Sequence, residues 1–247
     1  MCIRDRSRTR SLSVSEIGTG SSSDEYGRLA NDTAKINFAC ANARSLVHKI
    51  GSLITLFEEN SLHFAIITET WLSKKHCPPR MLSDLTVGSN ITLLRKDRGS
   101  RGGGVAICFD PTKMKMNAYN AKNTKGETVY AVGNSSLTMR KIVVVSVYLP
   151  PSMKVDEVDL VLEDIATNVD RLKLKFRDPI IFVGGDFNKK SLLTLLTAVP
   201  ELVPIRAGAT RRGVPLDEIY CNIGNSIVDR EVLRPLAKED VQRAIIA

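Results

Sequence analysis

The sequence predicts an α/β fold, on three observations. Short apolar runs of strand length alternate with stretches whose apolar residues recur at helical spacing, all within residues 35–247. No Pro/Gly/Ser-rich linker is long enough to divide that region, so one domain over 35–247 is the economical reading. The chain's 247 residues, 43% of them hydrophobic and 25% charged, suffice for a substantial core and argue against full disorder or a collagen-like repeat.

Residues 1–34 are rich in Ser, Arg, Gly and Asp, lack apolar periodicity and read as a disordered leader. Asp5 and Glu16 count against a mitochondrial presequence. The opening Met1-Cys2-Ile3-Arg4-Asp5-Arg6 looks like translated sequencing adaptor and is given no biological role. From Lys35 the pattern changes. Lys35–Cys40 alternates as a strand, with Ile36, Phe38 and Cys40 on one face. Leu46, Ile50, Leu53 or Ile54, and Phe57 place a helix over Ser45–Glu59. Phe64–Thr68 is apolar throughout and of the length of a buried strand. Further strands are expected at Ile91–Leu94, Gly104–Phe109, Glu127–Val132, Lys141–Tyr148, Ile180–Val183 and Leu216–Cys221. Val158, Val161 or Leu162, Ile165, Val169 and Leu172 mark a second amphipathic helix, and Ser191–Val199 a shorter one.

Charge and cysteine content narrow the function classes. The formal net charge is +8, and the leader's five Arg balance its five acids, so the whole excess lies in 35–247. A basic folded region favours phosphate-bearing partners. Five cysteines without a CxxC pair argue against a disulfide scaffold or a cysteine zinc site. His48, His63 and His76 form no HExxH or Cys/His cluster and read as ordinary surface or helix-flank residues. No apolar run approaches membrane-spanning length, so no membrane partner is expected.

Acids and amides stand where apolar strands run out into loops, the positions at which an α/β core commonly carries its site. Asn42 follows the first strand and Glu69 the Phe64–Thr68 strand. Asp186 and Asn188 follow Ile180–Val183 through Gly184-Gly185, which allow a tight turn or close approach by a ligand, and Asp217 opens the Leu216–Cys221 strand. Asp186 can take a proton or bind a hard cation, and Asn188 can orient a phosphate oxygen or water; an Asx turn is the structural alternative. Glu69 suits Mg²⁺ or a solvated strand end. Asp217 could orient a base, bind metal or cap a loop. Tyr148, held extended by Pro150-Pro151, could bind a phosphoryl oxygen or simply pack. Arg101-Gly102-Gly103-Gly104 lacks the ending of a phosphate-binding P-loop.

Taken in order, Asn42-Ala43-Arg44-Ser45-Leu46, Glu69-Thr70-Trp71-Leu72, Arg101-Gly102-Gly103-Gly104-Val105, Val147-Tyr148-Leu149-Pro150-Pro151, Gly185-Asp186-Phe187-Asn188 and Leu216-Asp217 resemble the endonuclease/exonuclease/phosphatase superfamily. The nearest likeness is the endonuclease domain of non-LTR retrotransposon reverse transcriptase proteins. The resemblance implies a four-layered α/β sandwich of two packed mixed sheets flanked by helices. It implies phosphodiester hydrolysis that nicks DNA, with Mg²⁺ (or Mn²⁺) held by Glu69 with Asn42 nearby. Tyr148 and Asn188 would position the scissile phosphate, Asp186 would align or deprotonate water, and Asp217 would orient a histidine. A reverse-transcriptase region of a longer polyprotein would be a partner, and the activity would be nuclear. Arg101, Lys189, Lys190, Arg206, Arg211 and Arg212 lie in or near loops where they would meet the DNA backbone, the Lys189-Lys190 and Arg211-Arg212 pairs being favoured.

One element departs from the pattern. The family closes with Ser-Asp-His, but Lys238-Glu239-Asp240-Val241 stands here, so Asp240 matches the aspartate while Val241 replaces the histidine. Valine neither gives nor takes a proton, and loss of a general acid–base costs ~10²–10⁴ in rate. The expectation is therefore weak or absent nicking, with a C-terminal strand cut short. A DNA-binding remnant and a phosphatase of lipid or small phosphoester substrates are the alternatives.

Overall fold

The computed structural model describes residues 35–74, 89–99, 102–122, 126–205, 217–224, 231–232 and 245–246. Twelve strands and three helices are assigned among them: β1 Phe38–Asn42, α1 Ile50–Glu59, β2 Phe64–Thr68, β3 Thr92–Lys96, β4 Val105–Phe109, β5 Met114–Ala118, β6 Glu127–Ser135, β7 Ile142–Tyr148, α2 Val155–Lys175, β8 Ile180–Asp186, α3 Leu193–Ala198, β9 Val203–Ile205, β10 Asp217–Cys221, β11 Glu231–Val232 and β12 Ile245–Ile246. The leader lies outside the described residues.

The strands form two six-stranded mixed sheets, ordered β11-β12-β1-β2-β4-β3 and β5-β6-β7-β8-β10-β9. Each holds one parallel pair, β1 with β2 and β7 with β8, joined by a helical crossover and otherwise flanked by antiparallel partners. The sheets stack face to face with helices outside, which is the expected α/β sandwich.

Strand β7 shows why the runs read as continuously apolar. Ile142 and Val144 enter the core between the sheets, while Val143, Val145 and Val147 meet Val158, Val161, Leu162 and Ile165 of α2 on the other side. Both faces of a central strand are buried, so period-2 alternation of polarity disappears. Phe38, Phe64 and Phe182 join the sheets, with ring centroids 4.7–5.3 Å apart. Each such pair adds about 0.5–1.5 kcal/mol beyond its burial.

Three expectations change. The helix expected from Ser45 begins at Ile50, because Arg44 and Ser45 are left-handed (φ 43° and 88°) and Ser45 and Leu46 donate to the carbonyls of Glu69 and Thr70. The chain here prolongs the β1–β2 pairing instead of coiling. Gly184 and Gly185 are not a turn; they continue β8, paired to Ser146 and Val147 on one side and to Ile219 and Glu218 on the other. Edge strands β5 and β9 escaped sequence reading. In β5 the alternation is Met against Lys115 and Asn117, whose exposed side chains suit a sheet edge.

Gly185 has no room for a side chain. A Cβ there would run into the Val147 carbonyl, and its φ is 151°. Gly185→Ala is expected to destabilise by more than about 3 kcal/mol, read as a lowered urea midpoint with an unchanged slope.

His63 supplies a pH dependence. It is buried, and its Nδ1 accepts the Asn37 N–H at 3.0 Å. Burial, reinforced by Lys113, lowers its pKa from 6.5 to about 4. The unfolded chain therefore takes up this proton near pH 6.5 and the fold only near 4, so the contribution is present above 6.5 and lost as pH falls toward 4. Across that interval the urea midpoint of the native protein should fall more than that of His63→Asn, whose amide oxygen keeps an acceptor without the titration.

Candidate active site

The two parallel pairs end together. Asn42 is in register with Thr68, one residue before Glu69, and Tyr148 is in register with Asp186. Asp217, the first residue of β10, pairs with Asp186 from the other side. Strand C-termini of both sheets thus deliver Asn42, Glu69, Tyr148 and Asp186 to one end of the sandwich, the end at which open α/β sheets bind ligands.

Small residues let the halves meet. The Gly184 position lies against Ile66 of the opposite sheet, and the Ser146 hydroxyl donates to the Ile67 carbonyl at 3.4 Å. Above them the Asn42 amide spans the gap, its Nδ2 donating to Glu69 Oε1 at 2.9 Å and to Asp186 Oδ2 at 2.7 Å. Its Oδ1 accepts the Arg44 N–H at 3.0 Å. The Tyr148 hydroxyl also donates to Glu69 Oε1, at 3.2 Å. Burial, then the charges of Glu69 and Asp186, push the Tyr148 pKa well up, so the phenol stays protonated and a donor.

Asp186 accepts the Asn188 N–H on Oδ1 at 3.0 Å, an Asx turn, while Asn188 Nδ2 donates to the Leu149 carbonyl at 3.1 Å. Asn188 thus binds the β7 exit to the β8 exit. Asp217 is fully buried. Its charge and that of Asp186 act with burial, the larger cause, to raise the Cys40 thiol's pKa. Cys40, Cys108 and Cys221 are buried.

Of the basic residues, Lys189 is exposed at the rim, with a left-handed φ of 61°. Lys190 is half-buried, and its ammonium donates to the carbonyls of Pro151 at 2.9 Å and Met153 at 2.8 Å, so it holds a loop. Arg101, Arg206, Arg211, Arg212 and Asp240 lie outside the described residues, as does Val241.

The expected divalent metal, Mg²⁺ with Mn²⁺ as the variant, is corrected. Among the described residues no group of three or more His, Cys, Asp and Glu side chains gathers as a ligand set. The physical reason is that Asn42 stands between Glu69 and Asp186 and engages a carboxylate oxygen of each.

Sequence reading passed over Arg98. Its guanidinium pairs with Glu127 Oε1 (Nη2 at 2.5 Å, Nε at 2.6 Å) and lies 5.5 Å from the centre of the Tyr148 ring. Glu127 also accepts the Gly104 N–H through Oε2. An arginine just past β3 carried no motif; only the packing of one sheet on the other brings it to Glu127 and Tyr148.

No family model and no curated protein matches the sequence. Solved structures do match. The endonuclease domain of TRAS1, a telomere-specific non-LTR retrotransposon, aligns with a TM-score of 0.62 at 16% identity, over 85% of this chain and 96% of that one. An endonuclease/exonuclease/phosphatase from Bacteroides vulgatus gives 0.61 at 12% identity, over 86% and 97%. An AP endonuclease from Archaeoglobus fulgidus gives 0.60 at 14%, over 85% and 98%. The fold is shared with these solved structures.

Removing the bridging amide should be costly. Asn42→Ala loses two hydrogen bonds to carboxylates and is expected to destabilise by about 3 kcal/mol at neutral pH. Asn42→Asp sets a third carboxylate between two others. Its deficit at pH 7 should exceed that of the alanine variant. Urea midpoints at that pH decide both.

Proposed function

We propose that this chain binds nucleic acid through the end of the sandwich carrying Asn42, Glu69, Tyr148 and Asp186, and that phosphodiester hydrolysis there is weak or lost. The reading is supported above all by the convergence of these four side chains from the strand ends of two sheets, in a fold shared with nucleases and phosphatases. The net charge of +8 favours a polyanionic partner.

The protein's own groups can position a phosphate. The protonated Tyr148 hydroxyl is a donor that can turn from Glu69 to a phosphoryl oxygen. Asp186 is a carboxylate able to hold a water or take its proton, steadied by Asn42 and by the Asx turn to Asn188. Asp217 buttresses Asp186 from β10, and Lys189 at the rim can meet a backbone phosphate. In the resembled family a histidine supplies the proton for the leaving oxygen. In sequence Val241 follows Asp240 where the resembled family has histidine, and no histidine occurs after His76. Without that group, water attack is slowed ~10²–10⁴-fold.

Within the superfamily fold we favour descent from the retroelement nicking branch, because the Glu69-Thr70-Trp71-Leu72 and Gly185-Asp186-Phe187-Asn188 stretches stand in that order and spacing. A reverse-transcriptase region of the same polyprotein and a nuclear site of action accompany that reading. Among the described residues no helix is long and apolar enough to cross a membrane.

Supercoiled-plasmid relaxation beside labelled-DNA anisotropy tests the proposal, each with divalent cation and with chelator. The expected outcome is DNA binding without nicking above background, binding that weakens as salt rises, and no loss of affinity in Asp186→Ala beyond threefold or so. Efficient nicking that disappears in Asp186→Ala would overturn the lost-hydrolysis reading. Turnover of small phosphoesters without DNA binding would point to the phosphatase alternative.

A further inference from the structure

Beside the four-residue cluster, two nitrogen donors face one bare glycine. A methyl group built on Gly102 would lie 3.9 Å from Nε1 of Trp71 and 3.9 Å from Nη1 of Arg98. Gly102 itself is left-handed, at φ 83°, so a side chain is disfavoured there and the space stays open. Arg98 commits Nε and Nη2 to Glu127, which fixes the guanidinium plane and turns Nη1 toward Gly102. With the side chain 29% exposed, a ligand can reach it.

Trp71 is held in an unusual way. It is the chain's single tryptophan, 36% exposed, between the buried Thr70 and Leu72. Its φ of 53° is left-handed, which is an outlier for so bulky a residue and costs on the order of 1–3 kcal/mol. Its backbone N–H donates to the Gly103 carbonyl at 2.9 Å, and the Thr70 N–H to the Gly104 carbonyl at 3.2 Å, so the backbone is pinned to the entry of β4 in its own sheet. The strain gains little burial for the indole. A rigid, strained, exposed aromatic beside an oriented arginine serves a ligand better than it serves the core.

We infer that Trp71 and Arg98 form a subsite for one nucleotide of an unpaired nucleic-acid strand. A phosphate oxygen sits over Gly102 between the indole N–H and the guanidinium Nη1, and the adjoining base stacks on the exposed face of Trp71. A planar guanidinium and an aromatic face are the two elements that hold single strands with little sequence preference. Arg98 also lies against the Tyr148 ring, which connects the subsite to the cluster one side chain away. This inference rests on the reading that the cleft binds nucleic acid, and extends it to a strand form and to two residues outside the cluster.

The single tryptophan makes the test direct. A short oligothymidylate titrated into the native protein should produce a saturable change in tryptophan emission and protection from iodide quenching, with a midpoint equal to that from anisotropy of the labelled oligonucleotide. In the anisotropy assay Trp71→Ala and Arg98→Lys should each weaken binding about tenfold. Trp71→Phe, which keeps a stacking face but not the N–H, should fall between Trp71→Ala and the native protein. Because Trp71 is exposed, its variants keep the test decisive even if Arg98→Lys fails to fold, which circular dichroism would show. If the oligonucleotide binds while emission stays unchanged, or Trp71→Ala binds as tightly as native, the subsite falls and the nucleic-acid reading stands. Preference for duplex over single strand with an unchanged emission also removes it. If native protein binds neither form, the functional reading falls and takes the subsite with it.

Discussion

The side-chain amide of Asn42 is the interaction on which the site end of this sandwich depends. Glu69 rises from one sheet and Asp186 from the other, and both are carboxylates in a partly buried place. Left alone they would repel, since like charges without a partner between them are costly away from water. One NH₂ group supplies a donor to each, at 2.9 and 2.7 Å, and so replaces repulsion with two charge-assisted hydrogen bonds. An aspartate of similar size could not do this. The amide therefore sets both the spacing of the two acids and the separation of the two strand ends.

That separation is possible only because of what lies beneath. Near the far end the Phe38, Phe64 and Phe182 rings hold the sheets at the distance their bulk requires. Toward the site, Gly184 makes room for the Ile66 side chain and the Ser146 hydroxyl reaches the Ile67 carbonyl of the other sheet. The loops above carry the consequence. Among the described residues, six of the eight left-handed non-glycine residues, Arg44, Ser45, Glu69, Trp71, Asn188 and Lys189, sit on the turns around the cluster. Strain is concentrated where side chains must be aimed, and the closely packed sheets below hold it in place.

Much of this was legible in the sequence, and the parts that were not have physical causes. Strand-length runs such as Phe64–Thr68 and Ile142–Tyr148 are bounded by sharp polarity changes, so their ends, and the polar residues just beyond, could be read directly. Gly184-Gly185 misled because paired glycines usually signal a turn; here they serve the approach of Val147 on one side and Ile66 on the other, a tertiary demand invisible locally. Ser45 looked like the start of a helix because Leu46 and Ile50 keep helical spacing, yet pairing to Glu69 and Thr70 claims the backbone first. The metal expectation came from carboxylates at strand ends and from resemblance, and the placement of Asn42 between the acids could not be seen in a pattern of spacings. Arg98 had no signal at all, since it meets Glu127, 29 residues on, across the two packed sheets.

Binding and hydrolysis make different demands on such a scaffold, which is why one can outlast the other. Proton transfer to a leaving oxygen needs one group at hydrogen-bond distance with a suitable pKa, and a single substitution can remove it. On the proposed reading, holding a phosphate needs only several donors at a tolerant distance, for which the Tyr148 hydroxyl, the Arg98 guanidinium and the Lys189 ammonium stand on separate strands and loops. Two of them are fixed by contacts that also stabilise the fold, Arg98 by Glu127 and Tyr148 by Glu69. Selection for folding alone would keep those two groups in place whether or not the chemistry persists. The Asn42 bridge extends this logic, because the residue that positions the two acids is also the residue that stops them from destabilising the joined sheets.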